Sequence, residues 1–182
     1  FKILWEYDID INNLKCPRSK ESPLEHNCSG KHAAFLATCK KMNWPLESYL
    51  KGDHPLQIEI FRIISELLEI PISNVNAERD DCGAPTLYLK LLEMSKLYSL
   101  LSSSENAELE QISRAMTTNP IMISDNNKFD TEIIKASHGN VIGKGGAEGI
   151  QCLCKVNEGI GLALKGEDGS KRAKHAVSLH LL

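Results

Sequence analysis

The chain has 182 residues, of which 42% are hydrophobic and 25% are charged, a balance typical of an ordinary folded protein and not of a disordered one. The formal net charge is -3 and the isoelectric point lies near 6.1, which excludes a strongly basic binder of nucleic acid or of a membrane surface. No apolar stretch approaches the roughly 20 residues that would cross a bilayer.

The six cysteines do not match the spacing of a compact secreted framework, and a chain of this length does not need disulfides to fold. We therefore expect reduced thiols in a cytoplasmic protein, some of them buried and some available as ligands. They are Cys16, Cys28, Cys39, Cys82, Cys152 and Cys154.

The beginning of the chain has the pattern of the interior of an amphipathic segment, since no methionine precedes Phe1 and apolar residues continue to Tyr7. This pattern predicts a single domain over residues 1–182 whose N-terminal part is missing, and it leaves a signal peptide open. Polar residues between Pro17 and Pro23 then predict a loop.

Apolar residues recur at helical spacing in four segments, and a fifth, short helix is expected from Asp130. Asn27 or Ser29 is the expected N-cap of the first of these helices, and Pro55 suits the first turn of the second. The four segments lie at about 29–42, 55–70, 87–101 and 105–116.

From Asn140 onward the pattern changes to short apolar runs separated by glycine-containing turns, which predict antiparallel strands joined at 157–159 by a hairpin turn. Ser170 is the expected cap of a closing helix that is still in progress at Leu182, so a cut at this end is considered too. The order predicts an α+β fold with a helical layer packed on an antiparallel sheet. The expected strands are 141–142, 150–156 and 160–164.

Three short segments contain more reactive groups than a structural role requires. The first is His-Asn-Cys-Ser-Gly-Lys-His at 26–32, which places Cys28, Lys31 and His32 at the start of a helix. Cys28 and Lys31 are three residues apart and so share a helix face, and a helix N-terminus favours thiolates and other anions. A capped helix with a small buried thiol and a solvated lysine is the structural alternative.

The second segment is Asp-Asp-Cys-Gly-Ala-Pro at 80–85, which must be a turn because of its glycine and proline. Asp80 and Cys82 could orient an ammonium group, ligate a metal or transfer protons, and an ordinary aspartate-rich turn is the alternative. Two thiols, Cys28 and Cys82, make only half of a zinc site until a third ligand is named.

The third segment is glycine-rich and runs from 143 to 149, with Lys144 as its charged residue. Small residues let backbone amides approach a ligand, and the lysine suits a carboxylate or a proton transfer. The segment is not a phosphate-binding P-loop, since no Ser or Thr follows the lysine. A plain glycine-rich hairpin is the alternative.

In this order the three segments, together with Asp-His-Pro-Leu-Gln at 53–57, resemble the thermolabile L-asparaginases of the asparaginase II type, relatives of the serine β-lactamases and penicillin-binding proteins. The similarity runs from about Leu14 to Leu182. It implies a β-lactamase-like fold and hydrolysis of L-asparagine to L-aspartate and ammonia through a serine acyl-enzyme. The small-molecule partner is then L-asparagine, and a homodimer is one arrangement that the sequence leaves open.

The resemblance also implies roles for single residues. Lys144 would support proton transfer and substrate charge, Asp80 would hold the α-amino group of the substrate, and Lys31 and His32 would line the same pocket. Cys28, Lys31 and Cys82 would form a metal-binding cluster, most plausibly for zinc, although no cofactor is required for the reaction. A lysine ligand must be neutral, which needs a large lowering of its pKa by burial.

One departure from the family pattern concerns the nucleophile. The family has a Ser-x-x-Lys element before the His26–His32 segment, whereas the one such element here, Ser48 to Lys51, follows that segment. We therefore expect the chain to lack the attacking serine, with Ser29 as the nearest substitute. The alternatives are a degenerate homologue that binds a small molecule or metal, and a glutaminase-like amidase.

Overall fold

The computed structural model describes residues 2–16 and 22–182, so the predicted loop at 17–23 lies almost entirely outside the described residues. The chain forms two compact units, residues 1–88 and residues 89–182. The described residues contain eight α-helices and two small antiparallel sheets. The α+β class predicted from the element order is confirmed.

In its described residues the first unit contains three α-helices and a two-stranded hairpin. Two of the helices confirm the predicted segments, and the amphipathic start of the chain is a short helix. The elements are α1 (Lys2–Glu6), α2 (Ser29–Met42), α3 (Pro55–Leu68), β1 (Asn76–Arg79) and β2 (Pro85–Tyr88).

Local signals explain where α2 and α3 begin and end. Helix α2 ends at Asn43, whose left-handed backbone (φ 55°) lets its N–H reach the last carbonyls. Helix α3 starts with Pro55 in its first turn, and the imidazole of His54 caps it by accepting the Leu56 N–H at 3.1 Å. The expected caps of α2 are not used, because Cys28 occupies the cap position without a side-chain bond.

The core of the first unit is built on the inner face of α2. Leu36, Cys39 and Tyr49 are fully buried there, and Leu4 of α1 and Leu56 of α3 pack into the same cluster. This arrangement fixes the start of α2 relative to the rest of the unit, which matters because the reactive segment at 26–32 lies there.

The second unit contains the remaining helices and a three-stranded sheet with strand order β3-β4-β5. In the sheet, Lys144 pairs with Cys152 and Cys152 pairs with Ala163. The elements are α4 (Leu91–Ser102), α5 (Ala107–Thr118), α6 (Ile121–Ser124), α7 (Phe129–Ala136), β3 (Val141–Gly145), β4 (Ile150–Lys155), β5 (Ile160–Lys165) and α8 (Lys174–Leu181).

Close packing of α4 on the sheet depends on one glycine. A Cβ on Gly161 of β5 would overlap the backbone of α4 at Ser95 O and Ser99 N. The two backbones can therefore approach this closely only because position 161 has no side chain.

Two sequence predictions in these units are wrong. Leu87 belongs to β2 and not to a helix, since α4 begins only at Leu91. Ser170 does not cap the closing helix, which begins at Lys174; its hydroxyl instead accepts the Arg172 N–H at 3.2 Å in the preceding turn. In both cases the helix begins four residues later than predicted, at Leu91 instead of Leu87 and at Lys174 instead of just after Ser170.

Among the described residues, no helix is both long and apolar enough to span a membrane. This agrees with the expectation drawn from the lengths of the apolar stretches.

Candidate functional site

The loop between β1 and β2 is organised by the carboxylate of Asp80. Its Oδ1 accepts the backbone N–H groups of Cys82 at 2.9 Å and of Ala84 at 3.0 Å. Gly83 makes the turn possible because its φ of +78° favours glycine. The Asp-Asp-Cys-Gly segment therefore holds the Cys82 thiol in a fixed position, as an aspartate-anchored turn does.

Lys31, in the first turn of α2, forms an ion pair with Asp80, and both side chains are partly buried. Burial alone would raise the pKa of Asp80, but the hydrogen bond from Lys31 and the two backbone N–H groups outweigh it, so the pKa lies below its usual value. The pair thus joins two of the three segments singled out in the sequence, at a separation of 49 residues along the chain.

A second cluster lies beside this pair. One ring nitrogen of His26, Cys28 Sγ and Cys82 Sγ all lie within 4.8 Å of one another, and the Cys82 Sγ to His26 Nδ1 distance is 3.8 Å. Cys28 donates its backbone N–H to His26 Nδ1 at 3.1 Å, which shows that this nitrogen carries a lone pair and no proton. Burial, followed by the nearby Cys28 thiol, raises the pKa of Cys82 to about 11.

His26 is the residue that sequence reasoning missed. Its signal was present, since His-x-Cys places an imidazole two residues before the Cys28 thiol, but the argument stopped at two thiols. Only the approach of the Cys82 loop, 56 residues further on, makes the imidazole and the thiols one cluster.

His32 is fully buried and belongs to a separate hydrogen-bond network. Its Nδ1 lies 2.7 Å from the Tyr49 hydroxyl, which in turn accepts the Lys15 N–H at 2.9 Å. We assign the hydroxyl proton to the bond with Nδ1, which places the imidazole proton on the buried Nε2. The geometry suits a residue that holds the start of α2 in place better than one that exchanges protons with a ligand.

Acidification is expected to destabilise the protein through His32. Burial, and then the charge of Lys31, lowers its pKa to about 4 from near 6.5. As the pH falls, the unfolded chain therefore protonates this imidazole at a higher pH than the folded protein does. The stability that the neutral imidazole gives the folded protein is on the order of 3 kcal/mol; it is fully present above about pH 6.5 and is lost as the pH falls towards about 4.

The check is the melting temperature at pH 7 and at pH 5 for the wild type and for His32→Gln. The drop between the two pH values should shrink in the variant, and His180→Gln, a change at an exposed histidine, should leave it as in the wild type. An undiminished drop in His32→Gln would assign the pH dependence to other groups.

Lys144 belongs to the second unit, where it lies in β3 and is exposed. Its Nζ donates to the carbonyl of Gly145 at 2.6 Å. The backbone of the next residue is fixed by a hydrogen bond, since the Gly145 N–H donates to the buried carboxylate of Asp130 at 2.8 Å. Residues 143–145 of the glycine-rich segment are the end of the edge strand β3, and residues 146–149 form the turn to β4, as in the glycine-rich hairpin that was the alternative.

Among the described residues, the hydroxyl of neither serine considered as a nucleophile has a hydrogen bond to a side chain that could act as a base. Ser29 is the first residue of α2 and donates its backbone N–H to His26 O at 2.9 Å. Ser48 lies in a turn in which its carbonyl accepts the Lys51 N–H at 2.9 Å. The Ser48-x-x-Lys51 element is thus part of a loop and not of a helix that would align the two side chains.

The first unit of this α+β protein therefore holds two thiols, an imidazole and a lysine–aspartate pair close together, groups that can bind a small molecule or a metal ion. The chain belongs to the L-asparaginase II family, whose model matches residues 1–182. No curated protein matches the sequence. The resemblance to L-asparaginases is thereby confirmed at the level of the family, while the assigned roles of Lys31, His32, Asp80 and Lys144 stay predictions.

Proposed function

We propose that this protein is part of an asparaginase-type amide hydrolase that converts L-asparagine and water to L-aspartate and ammonia. The observation that carries the proposal is the family match over residues 1–182. The Asp80 carboxylate is suited to an ammonium group, as its ion pair with Lys31 illustrates, and the α-amino group of asparagine would take the place of Lys31 or share the carboxylate with it.

In the proposed reaction a serine hydroxyl attacks the side-chain amide carbon, ammonia leaves, and water then hydrolyses the acyl-enzyme to L-aspartate. Lys144 would assist proton transfer and bind substrate charge. The proposed fold is that of the serine β-lactamases, and the antiparallel sheet followed by α8 supports this. We propose further that the attacking serine is supplied from outside this chain, because Ser48 and Lys51 lie in a turn and Ser29 in a helix start.

Ammonia release from L-asparagine is the test, on this chain and on a version extended through the upstream coding sequence. Activity only in the extended version would support the reaction and the location of the nucleophile together. Activity in the short chain would assign the attack to a serine present here, with Ser29 and then Ser48 the first to mutate. No release by either version would favour the degenerate binding protein.

The same assay with L-glutamine separates the glutaminase-like alternative. The two substrates differ by one methylene group, so a pocket shaped for one discriminates by roughly 1–3 kcal/mol, or about 10- to 200-fold in kcat/KM. If kcat/KM for L-glutamine exceeds that for L-asparagine by this factor, the proposed substrate becomes L-glutamine.

For a metal, the chemistry of the described cluster fits zinc. Tetrahedral zinc at about 2.3 Å from sulfur and 2.0–2.1 Å from nitrogen separates its ligands by about 3.6–3.8 Å. The 3.8 Å between Cys82 Sγ and His26 Nδ1 is close to the roughly 3.6 Å expected for a sulfur and a nitrogen ligand, and the Nδ1 lone pair, which now accepts the Cys28 N–H, would have to leave that bond to bind the ion. We propose His26, Cys28 and Cys82 as the ligands, with His26 in place of Lys31, whose ammonium is paired with Asp80.

Such an ion would act as a Lewis acid when bound. Cys28→Ala should weaken zinc binding at least about 100-fold, since it removes one of three ligands from a site where even supporting groups matter 10- to 100-fold. Competition with a chromophoric chelator measures the affinity. Cys39→Ala, which removes a buried thiol of the same unit outside the cluster, is the control.

Lys31→Met separates the two ligand sets. If Lys31 is a ligand, this variant should weaken zinc binding as strongly as Cys28→Ala, whereas His26→Ala should have little effect. From the geometry we expect the opposite: His26→Ala should weaken zinc binding strongly and Lys31→Met only slightly, because the His26 imidazole faces the two thiols.

A further inference from the structure

The thiols of Cys28 and Cys82 lie close enough to react with each other. Their sulfur atoms are within 4.8 Å, and the sulfur–sulfur bond of a disulfide is about 2.05 Å long. The two atoms therefore have to approach by less than about 3 Å to form this bond. A change of one side-chain rotamer moves a sulfur over a distance of this size, so no large movement of the backbone is needed.

Cys28 is the thiol that can make this movement. It occupies the N-cap position of α2, but its side chain makes no capping hydrogen bond, so rotation about its Cα–Cβ bond breaks none. Its side chain is also partly exposed, whereas the other five cysteines, all of them among the described residues, are buried. A solute therefore reaches the Cys28 sulfur before any other thiol of this protein.

Cys82 has the opposite character, since it is fixed and only 6% exposed. Its backbone N–H donates to Oδ1 of Asp80, which also accepts the N–H of Ala84. A buried thiol is protected from solutes, but the Cys28 sulfur can reach it from inside the protein. Two groups held near each other in this way react with a high effective concentration.

The other cysteines are held in different surroundings. Cys16 is buried and donates its thiol to the carbonyl of Pro23 at 3.3 Å. Cys39 is fully buried in the core of the first unit. Cys152 and Cys154 are buried in β4 of the second unit. The pair of Cys28 and Cys82 thus combines an accessible thiol with a second thiol held beside it.

We propose that Cys28 and Cys82 form a reversible disulfide, with a low-molecular-weight disulfide such as oxidised glutathione as the oxidant. The Cys28 sulfur attacks one sulfur of the oxidant, which forms a mixed disulfide and releases one glutathione thiol. The Cys82 sulfur then attacks the Cys28 sulfur, which forms the protein disulfide and releases the second glutathione thiol. The two protons of the protein thiols end on the two released glutathione molecules, so one disulfide is reduced as another forms.

The disulfide would join the start of α2 to the loop between β1 and β2, beside the ion pair of Lys31 and Asp80. It would also use the two sulfur atoms proposed as zinc ligands. The oxidised protein should therefore bind zinc at least about 100-fold more weakly than the reduced protein does. Only this consequence rests on the proposed metal site, because the disulfide forms between the thiols themselves.

Peptide mapping of the metal-free chain tests the proposal. The protein is equilibrated with oxidised and reduced glutathione, its remaining thiols are alkylated, and tryptic peptides are identified by mass spectrometry. Trypsin releases Cys28 in peptide 21–31 and Cys82 in peptide 80–90, each without another cysteine. These two peptides should appear cross-linked, with two fewer free thiols than the six of the reduced chain. Excess reduced glutathione should restore all six.

Three variants separate the two chemical steps. Cys82→Ser should stop at the mixed disulfide of Cys28 with glutathione, which should accumulate at least about tenfold more than in the wild type. Cys28→Ser should react with oxidised glutathione at least about tenfold more slowly, because the remaining thiols are buried. Cys39→Ala removes a buried thiol outside the pair and should form the cross-link as the wild type does.

Two results in the wild-type chain would overturn the proposal. One is glutathione on Cys28 without any cross-link to Cys82, which would show that the two sulfurs cannot close. The other is a cross-link of Cys28 to Cys16 instead of Cys82. Both results are obtained without a substitution, so the proposal can be refuted even where a variant fails to fold.

The outcome is independent of the proposed reaction and of the proposed metal. A cross-link in a chain that binds no zinc, and whose extended version releases no ammonia, would leave the disulfide standing and remove the other two proposals. Zinc binding or ammonia release without any cross-link would do the reverse.

Discussion

Replacing Asp80 with alanine is expected to lower the free energy of unfolding by about 2–4 kcal/mol, the sum of a lost ion pair and two lost hydrogen bonds. The carboxylate accepts the N–H groups of Cys82 and Ala84 and pairs with Lys31, so its removal leaves two amides and one partly buried ammonium without their acceptor. Asp80→Asn should cost less, since an amide oxygen can still accept a backbone N–H.

Urea denaturation measures this loss as a shift of the midpoint at constant slope. The control is Asp81→Ala, a change at the exposed neighbour of Asp80, which should stay within about 0.5 kcal/mol of the wild type. In a double-mutant cycle, adding Lys31→Met to Asp80→Ala should cost less than the sum of the two single changes. Equal effects at Asp80 and Asp81 would show that the loop does not depend on this carboxylate.

Because Asp80 positions Cys82, the same variant should also bind zinc more weakly, by about 10- to 100-fold. This consequence separates a role in stability from a role in the metal site, since Asp81→Ala should leave the zinc affinity unchanged. A variant that is destabilised but binds zinc as the wild type does would place Asp80 outside the metal site.

Gly161→Ala is expected to destabilise the second unit by at least about 3 kcal/mol, the upper range of overpacking effects. The added methyl group would overlap Ser95 O and Ser99 N of α4. Backbone atoms of a packed helix cannot move aside as the end of a side chain can, so the helix and the sheet must separate.

Far-UV circular dichroism during urea denaturation measures this effect. Gly52→Ala is the matched control, because a Cβ at Gly52 meets nothing within 4 Å and the residue has no positive φ. Wild-type stability of Gly161→Ala would show that α4 does not pack on β5 as closely as described. A matching loss in Gly52→Ala would assign the effect to glycine replacement in general.

Much of the secondary structure was predictable because its signals are local. Helical spacing predicted α2, α3 and α5, and the glycine turns predicted the three strands of the second unit. The short hairpin of β1 and β2 was not predicted, since each strand has only four residues and neither strand has a fully buried one. Its pairing depends on the Asp80 turn and not on periodicity.

The site was predictable in its parts but not in its pairings. The sequence singled out Cys28, Lys31, Asp80 and Cys82, but it gave them all to one metal cluster and one pocket. The structure pairs Lys31 with Asp80 and adds His26 to the two thiols, and the predicted metal set of Cys28, Lys31 and Cys82 stays a prediction. Chemical type indicates which residues can react, whereas hydrogen-bond geometry decides which neighbour each of them uses.

The sequence by itself determined the family, the α+β class and the places at which the chain carries reactive groups, because motifs and periodicity are properties of neighbouring residues. Only the tertiary structure decided that the Asp80 carboxylate binds Lys31, that His26 faces Cys82, and that the thiols of Cys28 and Cys82 lie within 4.8 Å of each other. The physical reason is that burial and long-range pairing depend on how whole elements pack, and no local pattern records that packing.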